Sequence, residues 1–289
     1  MKKLAPHIVL FLAACATTYW HGGAGFAAAL MGILVCHEFG HYLLGRHHGV
    51  PVSLPYFIPL PPQISLGTLG AVIKMDAPIH DRNKLFDVGA SGPIAGLVVA
   101  IPLLAYGLSL SHVAPINPDD MLEGNSVLYA LLKYAVFGRW LPGDNVDVQL
   151  HPVAIAAWVG LLVTQINLMP IGQLDGGHIA RAALGQRHEL LSKRLHVALP
   201  LVGLACGGVM FATAMSAGKS VLGALDYAKS GAIPWVLWTI LLAVMRRGSD
   251  EYHAPVDDAP LTPARRRAAI AMLVVFCLIA TPVPWRPVL

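Results

Sequence analysis

The run His37-Glu38-Phe39-Gly40-His41 constrains this chain most, because it sets two imidazoles and a carboxylate inside a stretch, from about Ala24 to Leu44, that is otherwise almost wholly apolar. A helix crossing a bilayer needs about 20 apolar residues, so the stretch is long enough to span. Ionisable side chains at that depth are costly and point to a functional site. The fold therefore has to enclose these groups in protein rather than leave them against lipid.

The rest of the chain is of the same kind. Of 289 residues, 56% are hydrophobic and 12% charged, against about 25% charged in a soluble domain. Apolar runs fall at about 5 to 20, 24 to 45, 86 to 110, 151 to 171, 195 to 217, 230 to 245 and 268 to 283. They predict an all-α polytopic membrane protein of about six to seven transmembrane helices. Met1-Lys2-Lys3 ahead of an apolar run, with Leu12-Ala13-Ala14-Cys15 inside it, has the look of a signal peptide with a lipoprotein cleavage box. Another spanning run follows within a few residues, and the orientation count needs the first helix, so its retention is expected. With the N-terminus cytoplasmic, 15 of the 20 basic residues fall on the cytoplasmic side; Lys133, Arg139, Lys219, Lys229 and Arg286 fall on the far side. This is the positive-inside asymmetry, and it puts the His37/His41 site in the cytoplasmic half of the membrane. The net charge of +4 thus orients helices rather than forming a basic patch, and no nucleic-acid partner is expected. Cys15, Cys36, Cys206 and Cys277 are isolated and in apolar segments, so neither a disulfide framework nor a thiolate metal site is indicated.

Three connecting segments carry further information. Residues 51 to 78 hold five prolines up to Pro62, then the β-prone run Ser65 to Lys74. The segment is too Pro-rich for a helix and too apolar for a hydrated loop, which predicts a re-entrant or interfacial strand or hairpin beside the site. Residues 111 to 150, with Asp119, Asp120, Glu123, Asp144 and Asp147 around an apolar stretch, predict an extracytoplasmic loop carrying a surface-lying helix. The expected organisation is one integral membrane domain over 1–289, with a catalytic core at 24–180. C-terminal transmembrane helices fill 181–289, interrupted by a polar, mobile cytoplasmic linker at 246–267.

On a helix, residues i and i+4 share a face, so His37 and His41 can present nitrogens to one metal ion while Glu38 reaches the water that a zinc ion activates. With four Glu and 13 His in the chain, a chance HExxH match has an expectation of roughly 0.01. A catalytic zinc takes three protein ligands and keeps a fourth position open. Apart from Glu38, Asp175 is the one acidic residue near an intramembrane position, and it closes the fourth run in Asn167-Leu-Met-Pro170-Ile-Gly-Gln-Leu174-Asp175-Gly176-Gly177-His178. The Pro170 break and the Gly176-Gly177 pair let the backbone turn its carboxylate inward.

Together, His37-Glu-x-x-His41 and Asn167-x-x-Pro170-x-x-x-Leu174-Asp175-Gly176 resemble the site-2 protease family of intramembrane zinc metalloproteases. Gly67-Thr68-Leu69-Gly70 and Gly89-x-x-Gly92-Pro93-x-x-Gly96 resemble the family's segments between the two motifs. The resemblance implies one zinc ion held by His37, His41 and Asp175, with Glu38 as general acid and base. It further implies that Asn167 stabilises the oxyanion or holds substrate, and that the 65 to 74 strand binds an unwound substrate segment. The expected partners are transmembrane protein substrates and the lipid bilayer. The expected setting is the inner membrane of a bacterial cell, with the site toward the cytoplasm. The chain shows no inserted PDZ-like domain and no regulatory nucleotide-binding domain, which some members carry. The competing readings are a metal-binding transporter, whose site has no need of Glu38, and an inactive homologue that only binds membrane proteins.

Overall fold

A single glycine reverses the first apolar stretch. In the computed structural model, which describes residues 4–63, 65–75, 77–246 and 251–289, helix α1 (Ala5–His47) leaves helical geometry at Gly23, with φ 75° and ψ −174°. Expectations resting on Met1 to Lys3 and on 247–250 of the linker lie outside the described residues. A straight helix would put His7 about 60 Å from His47, beyond the roughly 28 Å that the eight residues to Pro55 can reach. Yet His7 Nδ1 lies 3.0 Å from the Pro55 carbonyl oxygen. One cleft is lined both by Phe11, Cys15 and Tyr19 and by Val35, Met31 and Ala27, pairs that mirror one another about Gly23. The two halves of α1 therefore run antiparallel, and His7 stands about level with the turn that carries His37 and His41.

Strands β1 (Tyr56–Pro59) and β2 (Thr68–Val72) form the expected antiparallel hairpin, with Tyr56 opposite Val72 and a register shift between Phe57 and Pro59. It packs on the first half of α1. Phe57 meets Phe11 edge-on at 5.2 Å, and Thr17 Oγ1 donates to the Gly67 carbonyl at 2.6 Å. Gly67 has φ 88°, and a Cβ there would press on the Thr17 backbone at 2.6 Å, so only glycine allows this close seat.

Helix α2 (Arg82–Ser109) starts at Asp81, whose side chain accepts from the amides of Asn83 and Lys84. Near the N-terminus of α2, Asp87 accepts two 2.7 Å bonds from Arg265 and lies 2.9 Å from His48 Nε2, tying three helix ends together. Beyond α2, the segment expected to carry a surface helix does carry one, and short strands besides. It holds β3 (His112–Pro115), β4 (Met121–Glu123), α3 (Val127–Phe137) and β5 (Val146–Gln149), with β3 antiparallel to β5. β4 pairs instead with the C-terminal β6 (Trp285–Pro287). Helix α3 lies on the surface only in part, because Tyr129 and Lys133 are fully buried on its inner face.

Helix α4 (Pro152–Asn167) leads through a turn to the short α5 (Asp175–Leu184), then come α6 (Arg187–Ser216), α7 (Val221–Met245) and α8 (Pro263–Ile279). The chain is mostly helical with small sheets, as expected. Among the described residues four helices, α1, α2, α6 and α7, are long and apolar enough to cross a membrane, fewer than the six to seven expected. The difference has three sources: α1 joins two expected spans, and α4 and α8 have only 16 and 17 residues. The linker, expected mobile, is docked among the described residues: Tyr252, His253 and Val256 are buried, and α8 begins at Pro263 rather than after 267.

Candidate metal centre

The second half of α1 buries His37, Glu38 and His41 against α2. The approach depends on the α2 glycines: a Cβ at Gly92 would stand on His41 Nε2, and one at Gly96 would come within 3.2 Å of His37 Nδ1. Asp175 arrives from the other side as the first residue of α5, where the helix dipole favours a carboxylate. The turn from Leu168 to Leu174 is tight enough that a Cβ at Gly176 would overlap the Leu168 carbonyl and one at Gly177 the Gly172 carbonyl. Both glycines of the motif are thus fixed by close backbone approach.

The three side chains converge. His37 Nε2 lies 3.1 Å from Asp175 Oδ2, His41 Nε2 lies 3.2 Å from Asp175 Oδ1, and the two Nε2 atoms are 3.2 Å apart. Donors bound to one tetrahedral zinc at about 2.0–2.1 Å stand roughly 3.3 Å from one another, the spacing of this triangle. Tautomer chemistry points the same way. His41 Nδ1 is 2.7 Å from the Val88 carbonyl oxygen and donates its proton there, leaving Nε2 as a lone pair aimed at the centre. That lone pair faces the Asp175 carboxylate at 3.2 Å, and the two repel unless a cation lies between them. The donor set, two nitrogens and a carboxylate, fits zinc. Among the described residues, no other group of three His, Cys, Asp or Glu side chains comes this close together.

Glu38 follows His37 in sequence, is 5% exposed and sits in the electrostatic field of His37, His41 and Asp175. Asn167 is the last residue of α4 and opens the turn that ends at Asp175. It is half-buried. His178, one turn beyond Asp175, pairs with the linker instead, at 2.7 Å from His253 Nε2. Sequence reasoning missed the Val88 carbonyl, which no side-chain pattern reveals. It also missed His253, whose polar neighbours read as a solvated tract.

Comparison with known proteins agrees with this geometry. The model of Peptidase family M50 matches residues 25–210, nearly two thirds of the chain and both halves of the centre. A probable zinc metalloprotease EGY1, chloroplastic, of Arabidopsis thaliana is 36% identical over 165 residues, covering 55% of this chain and 29% of that protein. A probable zinc metalloprotease EGY2, chloroplastic, of Oryza sativa subsp. indica is 32% identical over 184 residues, 63% of this chain and 32% of its own length. Its counterpart in Arabidopsis thaliana is 27% identical over 269 residues, 91% of this chain and 42% of that protein. The chain thus spans well under half the length of these curated relatives. Their names place them in chloroplasts, so the comparisons support an integral membrane protein but not a bacterial inner membrane in particular. With the family's span and the His37, His41 and Asp175 triangle in agreement, the chain belongs to peptidase family M50.

Proposed function

We propose that the chain is an intramembrane zinc endopeptidase, hydrolysing peptide bonds in or near transmembrane segments of other membrane proteins. The observation that carries this reading is the convergence of His37, His41 and Asp175 beside a buried Glu38. His37, His41 and Asp175 would hold the zinc ion, which supplies Lewis acidity toward the scissile carbonyl and lowers the pKa of water to about 7. Glu38 takes the proton of the attacking water and returns it to the leaving amine, a role that contributes about 10²–10⁴ in rate. Val88, by holding His41 Nδ1–H, keeps the imidazole in the ligating tautomer. Asn167, at the mouth of the Asp175 turn, donates its amide to the substrate carbonyl or to the oxyanion that forms from it.

Substrate presentation follows from the hairpin. Among the described residues β2 pairs only with β1, and Leu69 and Val72 on it are exposed. A helical substrate has to give up internal hydrogen bonds before one of its carbonyls reaches the centre, and a free strand edge replaces them. The height of the hairpin along α1 supports this assignment.

We further propose seven crossings, two by α1 and one each by α2, α4, α6, α7 and α8, with the centre in the cytoplasmic half. The pairing of β4, which precedes α4, with β6, which follows α8, supports the parity this needs. In cells carrying Glu38→Gln, an uncut membrane fragment is expected to accumulate, and mass spectrometry identifies it. Unchanged processing of every membrane protein in that strain would overturn the proteolytic reading.

A further inference from the structure

Between α5, the first turns of α6 and the first turns of α8 lies a cavity of about 610 Å³, in the range of built ligand sites. Its inner wall is apolar, formed by Ile179, Ala180, Ala183, Leu191, Ala269 and Met272. Its rim carries Arg82, Arg187 and Arg266, and no carboxylate lines it. Arg82 is already engaged, donating from Nε and Nη2 to the carbonyls of Ala182 and Ala183 at 2.7 and 2.9 Å. Arg187 and Arg266 are exposed, and among the described residues neither has an ion-pair partner, whereas the adjacent Arg265 is bound to Asp87. Arg187 opens a helix that is long and apolar enough to cross the membrane. Leu184, Ile270 and Leu273, beside the two arginines, are also exposed.

An apolar recess with two unpaired guanidinium groups at its mouth, at the end of a spanning helix, matches one kind of ligand: a molecule with an acyl chain and an anionic head. We propose that this cavity is a binding site for an anionic phospholipid, its phosphate between Arg187 and Arg266 and part of an acyl chain against Leu191 and Leu273. Guanidinium groups suit a phosphate by their forked donors, and basic recesses between membrane helices on the cytoplasmic side bind such head groups. The cavity also touches Leu168, Pro170 and Gly176, the turn that presents Asp175. A lipid seated there braces that turn from behind without touching the metal ligands.

The test uses the purified full chain in nanodiscs of phosphatidylcholine, with or without phosphatidylglycerol, reading the melting temperature and, by native mass spectrometry, the lipids retained. Phosphatidylglycerol should be retained and should raise the melting temperature. The variant Arg187→Gln/Arg266→Gln should retain it about 30-fold more weakly, from roughly 1 kcal/mol per lost charge, while melting as the wild type does in phosphatidylcholine. Arg187→Lys/Arg266→Lys should restore retention. Three results would each overturn the proposal: equal effects of the two lipids, undiminished retention by the Gln variant, or the same stabilisation from inorganic phosphate alone, which would mark a free-anion site.

Discussion

Two regions of the molecule bury ionisable groups, and they resolve the cost in opposite ways. Beyond α2, Lys133, fully buried, donates to Glu123 Oε1 and Asp147 Oδ1, each at 3.1 Å, and Tyr129 donates to the same Glu123 oxygen at 2.9 Å. The ammonium stands between the two carboxylates and offsets part of their charge, and the cluster fastens α3 to β4 and β5. At the metal centre, by contrast, His37, His41 and Asp175 converge on one point, and no Lys or Arg joins them. Burial of charge alone therefore does not mark a functional site. The mark is convergence without internal compensation, which calls for a cation from outside the chain.

The comparison is sharpened by removing one member from each region. His41→Ala should lose bound zinc and reduce cleavage of a co-expressed membrane substrate below detection, the largest effect expected, with the protein still folded in the membrane. Lys133→Met should retain zinc yet lose about 3–5 kcal/mol of stability, because it strands two buried carboxylates. Adding Glu123→Gln and Asp147→Asn should recover most of that loss in thermal melts. If Lys133→Met removed zinc and spared stability, the two regions would not differ as described. Gly92→Ala should come next, lowering zinc occupancy and cleavage together, since the added Cβ meets His41 Nε2.

The smallest effect concerns the docked linker. Burial pushes His253 below its ordinary imidazole value, and its 2.7 Å contact with His178 needs a lone pair on one ring and a proton on the other. A base whose folded pKa is depressed stabilises the folded state fully above its unfolded value of about 6.5 and progressively less as pH falls below it. Hydrogen exchange at the amides of Tyr252 and Asp257, bonded to Glu189 and to the His80 carbonyl, should accelerate below about pH 6.5 beyond the intrinsic rate. The His253→Ala variant should show no such additional pH dependence.

How much of this could be read from residues follows from the range of the interactions. The convergence of His37, His41 and Asp175 was legible because HExxH is a local spacing on one helix, and because an acid beside Gly176-Gly177 at the end of an apolar run has few other uses. The β1–β2 hairpin was legible from prolines and a β-prone run. The reversal between the runs at 5 to 20 and 24 to 45 was legible from the break at His21-Gly22-Gly23, although nothing in the residues singled out Gly23 as the pivot. The β4–β6 pairing was not legible, for it joins residues more than 160 apart. Lys133 read as an ordinary far-side charge because its compensation comes from Glu123 and Asp147, whose positions only the fold sets. The same holds for His253, which reads as solvated until α5 and α6 are placed beside it.

The central claim is that two imidazoles and one carboxylate hold a zinc ion beside Glu38. Zinc-edge X-ray absorption on the purified full chain tests it directly. The account predicts one zinc per chain with nitrogen and oxygen neighbours at about 2.0–2.1 Å, an unchanged metal shell in Glu38→Gln, and loss of the metal in Asp175→Ala. A sulfur neighbour at about 2.3 Å, for which Cys36 beside His37 is the nearest source in sequence, or full zinc occupancy in Asp175→Ala, would contradict it.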